Sequence, residues 1–219
     1  MVRFFVSQDE LRGDSLTLTG ENAQHAKVLR LKVNEEVLLC DGEGNECRCV
    51  IREVSSGALS LEVLERGLSL SEARVRVSVY MAFPSARCIS KPDDKSLKKK
   101  LERWQKIAAS AAEQSGRGRI PQVLVLGSFG EALKRASGAD KALMFYENEH
   151  AVTLRMVLET GEYETVSLLT GPEGGLEEKE VEQARQAGLQ VCTLGKRILR
   201  CETAPLCALS AVMYASGEF

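Results

Sequence analysis

The sequence predicts an α/β protein in two parts, a small β-barrel over residues 1–72 and an open, largely parallel sheet over residues 73–219, on the strength of three observations. The rhythm changes at Arg74: before it short strands follow one another across turns, and after it strands alternate with helices. Charge divides at the same place, with 8 Lys/Arg against 13 Asp/Glu up to residue 72 and 21 against 18 beyond it. The 44% hydrophobic content of the 219 residues is that of an ordinary globular chain, which excludes disordered, collagen-like and coiled-coil architectures.

In the first part, strands are expected at 3–6, 15–18, 35–41, 46–54 and 58–65, punctuated by the turn residues of 41–45 and 55–57. One helix interrupts them, marked by Ala23, Ala26, Leu29 and Arg30 after Thr19-Gly20. Residues 67–72 read as the linker. The second part predicts strands at 75–83, 122–126, 141–146, 165–170 and 190–194, with helices at 95–114, 129–137, 151–159, 177–187 and 202–215. Ser128 and Glu131 have capping-box spacing, and Gly188 follows the Val181/Ala184/Ala187 stripe where a helix end calls for a left-handed residue.

Seven cysteines without a CxxC pair, and an N-terminus without the pattern of a signal peptide, fit a reducing cytoplasm. Only two histidines, His25 and His150, stand far apart in the chain, so no metal site is expected. No apolar run reaches the roughly 18–20 residues of a membrane span. The net charge of −2 neither requires nor excludes a polyanion, but residues 85–119 hold ten basic and four acidic residues, the only concentrated positive stretch.

In an open parallel sheet, ligands bind beyond the carboxyl ends of the strands. Three loops should share that edge: 146–149, 171–175 and 195–203. Gly171, Gly174, Gly175 and Gly195 let backbone approach a flat ligand, and the N–H groups opening the helices at 177 and 202 suit a carboxylate or an electron-rich ring edge. A glycine-rich turn that merely joins strand to helix is the plainer reading of 171–175. Neither loop is a Walker A sequence, and no Gly-x-Gly-x-x-Gly closes the first strand-helix turn, which weakens nucleotide and nicotinamide readings.

Leu169-Thr170-Gly171-Pro172-Glu173-Gly174-Gly175, followed by Leu194-Gly195-Lys196-Arg197-Ile198-Leu199-Arg200-Cys201-Glu202-Thr203-Ala204, closely resembles the ribosomal RNA small-subunit methyltransferase E family of the SPOUT superfamily. Arg103-Trp104-Gln105-Lys106-Ile107-Ala108, Glu113-Gln114-Ser115-Gly116-Arg117, Arg3-Phe4-Phe5 and His25-Ala26-Lys27-Val28-Leu29-Arg30 are similar to the family too, so the resemblance spans nearly the whole chain. It implies an N-terminal PUA-like barrel that helps hold RNA and a SPOUT methyltransferase domain tied in a trefoil knot. It further implies a cytoplasmic homodimer that uses S-adenosylmethionine, without a metal, to methylate N3 of a uridine in the decoding region of 16S rRNA in the small ribosomal subunit. Carried over by position, the cofactor pocket comprises Gly171, Glu173, Gly174, Gly195, Ile198, Leu199 and Thr203, and Arg200 is the catalytic arginine.

Arg200 has a plainer alternative, an ion pair with Glu202 or Glu173 that pins the loop. Glu173 suits a cap or an orienting role, since an ordinary carboxylate is too weak a base for an N–H of far higher pKa. Cys201 stands where many relatives have threonine, and a small side chain suffices there. Arg3, His25, Lys27, Arg30, Arg117 and Arg119 are the candidate RNA contacts, joined by the basic run 91–106, which also reads as a solvated helix face; for His25, burial in the barrel is the alternative.

Relatives carry a lysine-glycine-aspartate loop, a helix and a strand between the positions of Pro84 and Ser85, about 25–30 residues that this sequence lacks, the size of a crossover plus one strand. A true deletion and a sequence missing those residues are both open. The cost of stripping a strand from its neighbours favours the second. Two other functions remain in competition: a non-catalytic RNA-binding or ribosome-assembly relative that keeps the fold, and a related knotted enzyme acting on transfer RNA.

Overall fold

The structure is a computed structural model that describes residues 1–13, 15–82 and 94–219. The end of the strand expected at 75–83, the Pro84–Ser85 junction and the start of the basic run lie outside the described residues. The chain forms two compact units, Met1–Glu72 with Ser96–Leu124 and Ala73–Lys95 with Val125–Phe219.

In the first unit a curled sheet has the order β1(Val2–Phe5)-β3(Glu36–Cys40)-β4(Asn45–Val54)-β5(Ala58–Leu68)-β2(Ser15–Thr19), parallel between β1 and β3 and antiparallel elsewhere. Register shifts at Arg48/Cys49 and Ile51/Glu53 bend β4, which lets the sheet wrap one core. That core comprises Phe4, Leu16, Leu18, Val37, Leu39, Ile51, Leu59 and Leu61, with Cys47 and Cys49 acting as small apolar side chains. The small buried faces of Ala23 and Ala26 let α2(Gly20–Val28) lie close against it. Residues 67–72 are not a free linker: Gly67 and Leu68 extend β5 against Glu46 and Asn45, because the antiparallel ladder continues as long as β4 supplies partners.

Two local features differ from the sequence reading. Gln8–Leu11 forms a single helical turn, α1, closed by a reciprocal cap between Ser7 and Glu10. Residues 122–126 are extended but make no strand among the described residues. There the Val123 N–H donates to Gln105 Oε1 at 2.9 Å, and Gln105 Nε2 donates to the Pro121 carbonyl at 3.1 Å, so a side chain of α3(Asp94–Ser115) replaces a ladder.

The second unit is a three-layer α/β/α arrangement. Its four described strands, ordered β6(Arg76–Met81)-β8(Thr165–Thr170)-β7(Lys141–Phe145)-β9(Gln190–Cys192), are all parallel. Val166 to Thr170 is buried throughout, as a central strand covered on both faces must be. On one face Leu143, Phe145, Val166, Leu168 and Cys192 pack with α5(Leu154–Leu158) and α7(Ala204–Ala215). On the other, Met144, Leu169 and Val191 pack with α4(Phe129–Ala136) and α6(Glu178–Gln186). The chain crosses from β8 past β7 to β9, and α7 then returns to lie against β8, β6 and α5.

Candidate functional site

Parallel pairing sends all four carboxyl ends to one edge, so the loops after β7, β8 and β9 (146–153, 171–177 and 193–203) gather there. Backbone bonds tie the first to the third: Tyr146 N–H donates to the Cys192 carbonyl at 3.1 Å, Thr193 N–H to Val152 at 2.9 Å and Leu154 N–H to Thr193 at 3.2 Å. The second loop meets the first where a Cβ built on Gly175 would lie 2.3 Å from Glu147 Oε1, the end of a side chain free to swing aside, while the backbone φ of +72° is what favours glycine there. Between the second and third, the Cys201 thiol donates to Glu202 at 3.2 Å and also faces Glu173, and these carboxylates hold its proton on, raising its pKa.

Glycines at the positions expected to hold the cofactor make two kinds of room. A Cβ on Gly171 would press on the Leu176 side chain at 2.9 Å, so this backbone is already closely covered. Gly174 and Gly195 face open space, and Gly195 holds φ +116° with its N–H on Thr193 Oγ1 at 3.2 Å. Ile198 is 82% exposed, Leu199 and Thr203 are half-buried, and Glu173 is exposed. Thr170 ends β8 on the face shared with Val166 and Leu168; it is 2% exposed and its hydroxyl has no hydrogen-bond partner among the described residues. A buried orphan hydroxyl, open glycine backbone and an uncovered isoleucine suit a ligand with one flat apolar surface and hydrogen-bonding edges.

Arg200 lies on the third loop, 86% exposed, with Nη1 3.9 Å from Glu202 Oε1, itself 64% exposed. A contact that long between two hydrated side chains contributes little stability, which disfavours a pinning role. The Glu202 carboxyl is held below its ordinary range by its own backbone N–H and then by the Cys201 thiol.

The candidate RNA residues, all in the first unit, fall into two groups. Arg3 is 8% exposed and turned inward, 3.3 Å from Glu46 and from Ser69 Oγ, so its guanidinium is committed within the barrel rather than presented to phosphate. His25 is neither buried nor free: it packs edge-on against Phe4 and its Nδ1 lies 3.2 Å from Glu113. Arg117 pairs with Glu72 at 2.8 Å, and Arg119 donates its backbone N–H to the same carboxylate at 2.9 Å. Lys27 and Arg30 are exposed and make no ion pair among the described residues; Arg30 ends α2 at φ 58°. Sequence reasoning missed Thr170, Glu149 and Arg185; no local pattern marks a hydroxyl as orphaned or pairs residues 36 positions apart.

The RNA methyltransferase domain family matches residues 73–213, and the RNA methyltransferase PUA domain family matches 18–64. The ribosomal RNA small subunit methyltransferase E of Bacillus subtilis is 33% identical to this chain, covering 98% of it and 96% of the relative. The chain belongs to the ribosomal RNA small subunit methyltransferase E family. A solved family member from Neisseria gonorrhoeae, bound to S-adenosyl methionine, is 31% identical and superposes with a TM-score of 0.82 over 98% of this chain and 97% of that one. A putative methyltransferase from Legionella pneumophila, 24% identical with a TM-score of 0.80 over 98% and 97% of the two chains, shares the fold. The Bacillus alignment runs over 247 positions, so at least 28 of them have no residue in this 219-residue chain, which accords with the segment found lacking above.

Proposed function

We propose that this chain uses S-adenosylmethionine to methylate N3 of a uridine in the decoding region of 16S rRNA, with residues 73–219 as the methyltransferase domain and residues 1–72 helping to hold the RNA. The observation that carries the reading is the three-loop cradle, with open Gly195 and a buried Thr170 hydroxyl that has no partner among the described residues, in a chain whose gonococcal relative holds that cofactor. Gly171, Glu173, Gly174, Gly195, Ile198, Leu199 and Thr203 would hold it, the glycines by backbone approach and Ile198 and Leu199 as an apolar wall.

Bound S-adenosylmethionine supplies a methyl group already made electrophilic by its sulfonium, so the harder task falls to the protein. Uracil N3 carries a proton at neutral pH, and its lone pair becomes nucleophilic only as that proton leaves to solvent water. Negative charge then spreads to O2 and O4, where a forked, permanently charged donor is most effective. Arg200 is that donor, exposed at the cradle and held only loosely by Glu202. Glu173 and Glu202 orient the loop rather than accept the proton.

Lys27 and Arg30 are the phosphate contacts best supported by exposure; Arg117 and Arg119 are anchored to Glu72 and offer what remains of their donors. Arg3 and His25 support that surface from within. A homodimer belongs to the same proposal, supported by Leu206 and Tyr214, which α7 leaves exposed. The second reading, a non-catalytic RNA-binding relative, draws support from the at least 28 alignment positions without a counterpart here. Labelled methyl transfer to small subunits lacking the modification separates the two.

A further inference from the structure

Glu149 ties the first loop of the cradle to α6 and, through Val152 and Thr193, is linked to the third. Its Oε1 accepts the Ala151 N–H at 2.8 Å and the Val152 N–H at 3.2 Å. Its Oε2 lies 3.7 Å from Arg185 Nη2 on α6, the helix that follows the second loop. Val152 in turn accepts the Thr193 N–H, and the Thr193 hydroxyl takes the Gly195 N–H. One side chain therefore joins α6, the first loop and, two hydrogen bonds further on, the open glycine of the third. Beyond the Tyr146–Cys192 bond that extends the β7/β9 pairing, the ladder between those loops is one bridge, Thr153 with Thr193, made by the Thr193 and Leu154 N–H groups. The carboxylate form is the one favoured here: the Ala151 and Val152 N–H groups, with Arg185 adding to them, hold Glu149 below the ordinary carboxylate range.

We infer that Glu149 is a positioning residue that locks loop 146–153 onto loop 193–203 before the cofactor arrives and so sets cofactor affinity without touching it. The inference rests on the cradle being the S-adenosylmethionine site. An acceptor so placed preorganises the third loop: without it, Gly195 and the residues after it must be ordered at the moment of binding, and that cost shows in affinity rather than in the chemical step.

The test uses the full chain and three variants, Glu149→Ala, Glu149→Gln and Arg185→Met, with calorimetric Kd for S-adenosylmethionine, amide hydrogen exchange without ligand, and kcat at saturating cofactor. Glu149→Ala should raise Kd about tenfold and speed exchange at Val152, Leu154 and Thr193 while kcat stays near wild type. Glu149→Gln, which keeps an acceptor, should restore most of the protection, and Arg185→Met should have a smaller effect on Kd. Unchanged exchange in Glu149→Ala, or faster exchange with an unchanged Kd, overturns the inference. A wild-type chain that binds no S-adenosylmethionine overturns the assignment of the site instead, and is distinguished because the exchange response to Glu149→Ala does not depend on the cofactor.

Discussion

Replacing Arg200 with alanine separates catalysis from scaffolding because the structure bounds the scaffolding contribution. The only ion pair Arg200 makes among the described residues spans 3.9 Å to Glu202, between side chains 86% and 64% exposed. Exposed pairs of this kind are worth about 0–1 kcal/mol, which for a chain of this size lowers Tm by no more than roughly 4 °C. Removing one preorganised donor from a site of developing negative charge costs about 3–4 kcal/mol, or roughly 100- to 1000-fold in rate. The assay is single-turnover methyl transfer to unmodified small subunits, with cofactor Kd and Tm measured on the same preparations. Arg200→Ala should lose two to three decades of rate with Kd and Tm nearly unchanged. Arg200→Lys should fall between, because an ammonium keeps the charge but not the fork. A wild-type rate for Arg200→Ala, or a rate loss that follows a large fall in Tm, would refute the assignment.

Three further outcomes follow from particular contacts. At the opposite end of the sheet from the cradle, Asp140 accepts N–H groups from Glu164 and Thr165 at 3.0 Å and the Thr165 hydroxyl at 2.8 Å, which hold its carboxyl below the usual range. Because the folded pKa is depressed, its contribution to stability is present above the unfolded value of about 4 and is lost as pH falls through the lower, folded one. Asp140→Asn should therefore flatten the acid limb of a stability-against-pH curve below pH of about 4; an unchanged limb would contradict this. Lys27→Ala and Arg30→Ala should each weaken binding to the small subunit and reduce its salt dependence by about one unit of slope, measured by filter binding across a salt series; a parallel displacement without change of slope would remove them from the phosphate contacts. Leu206→Glu with Tyr214→Glu should shift the sedimentation coefficient from dimer to monomer, and a species unaffected by both charges would exclude this face of α7 as the interface.

What the sequence made legible follows from the length of each signal. Residues 165–170 read as a strand because an apolar run bounded by turns has the length of a buried strand, and β8 occupies those positions. The α1 turn escaped because four residues cannot show helical periodicity, although Ser7 and Glu10 carry capping-box spacing. Alternating Val123 and Val125 gave 122–126 the pattern of a strand, but the partner turned out to be the Gln105 amide, a long-range contact that no window of neighbouring residues reveals. The cradle was legible for the converse reason: three loops after parallel strands must emerge on one edge, and their glycines are visible in the sequence. The inward turn of Arg3 was not, since nothing local shows that Glu46 faces it inside the barrel. Glu149 and Arg185 were hidden in the same way, each ordinary in its own segment.

The most direct test of the account is transfer of labelled methyl from S-adenosylmethionine to small ribosomal subunits lacking the modification, with digestion of the RNA and identification of the labelled nucleoside. Label is expected in 16S rRNA as N3-methyluridine, from a decoding-region fragment. Label in another nucleoside or in transfer RNA, or no transfer by a chain that binds the cofactor, would contradict it.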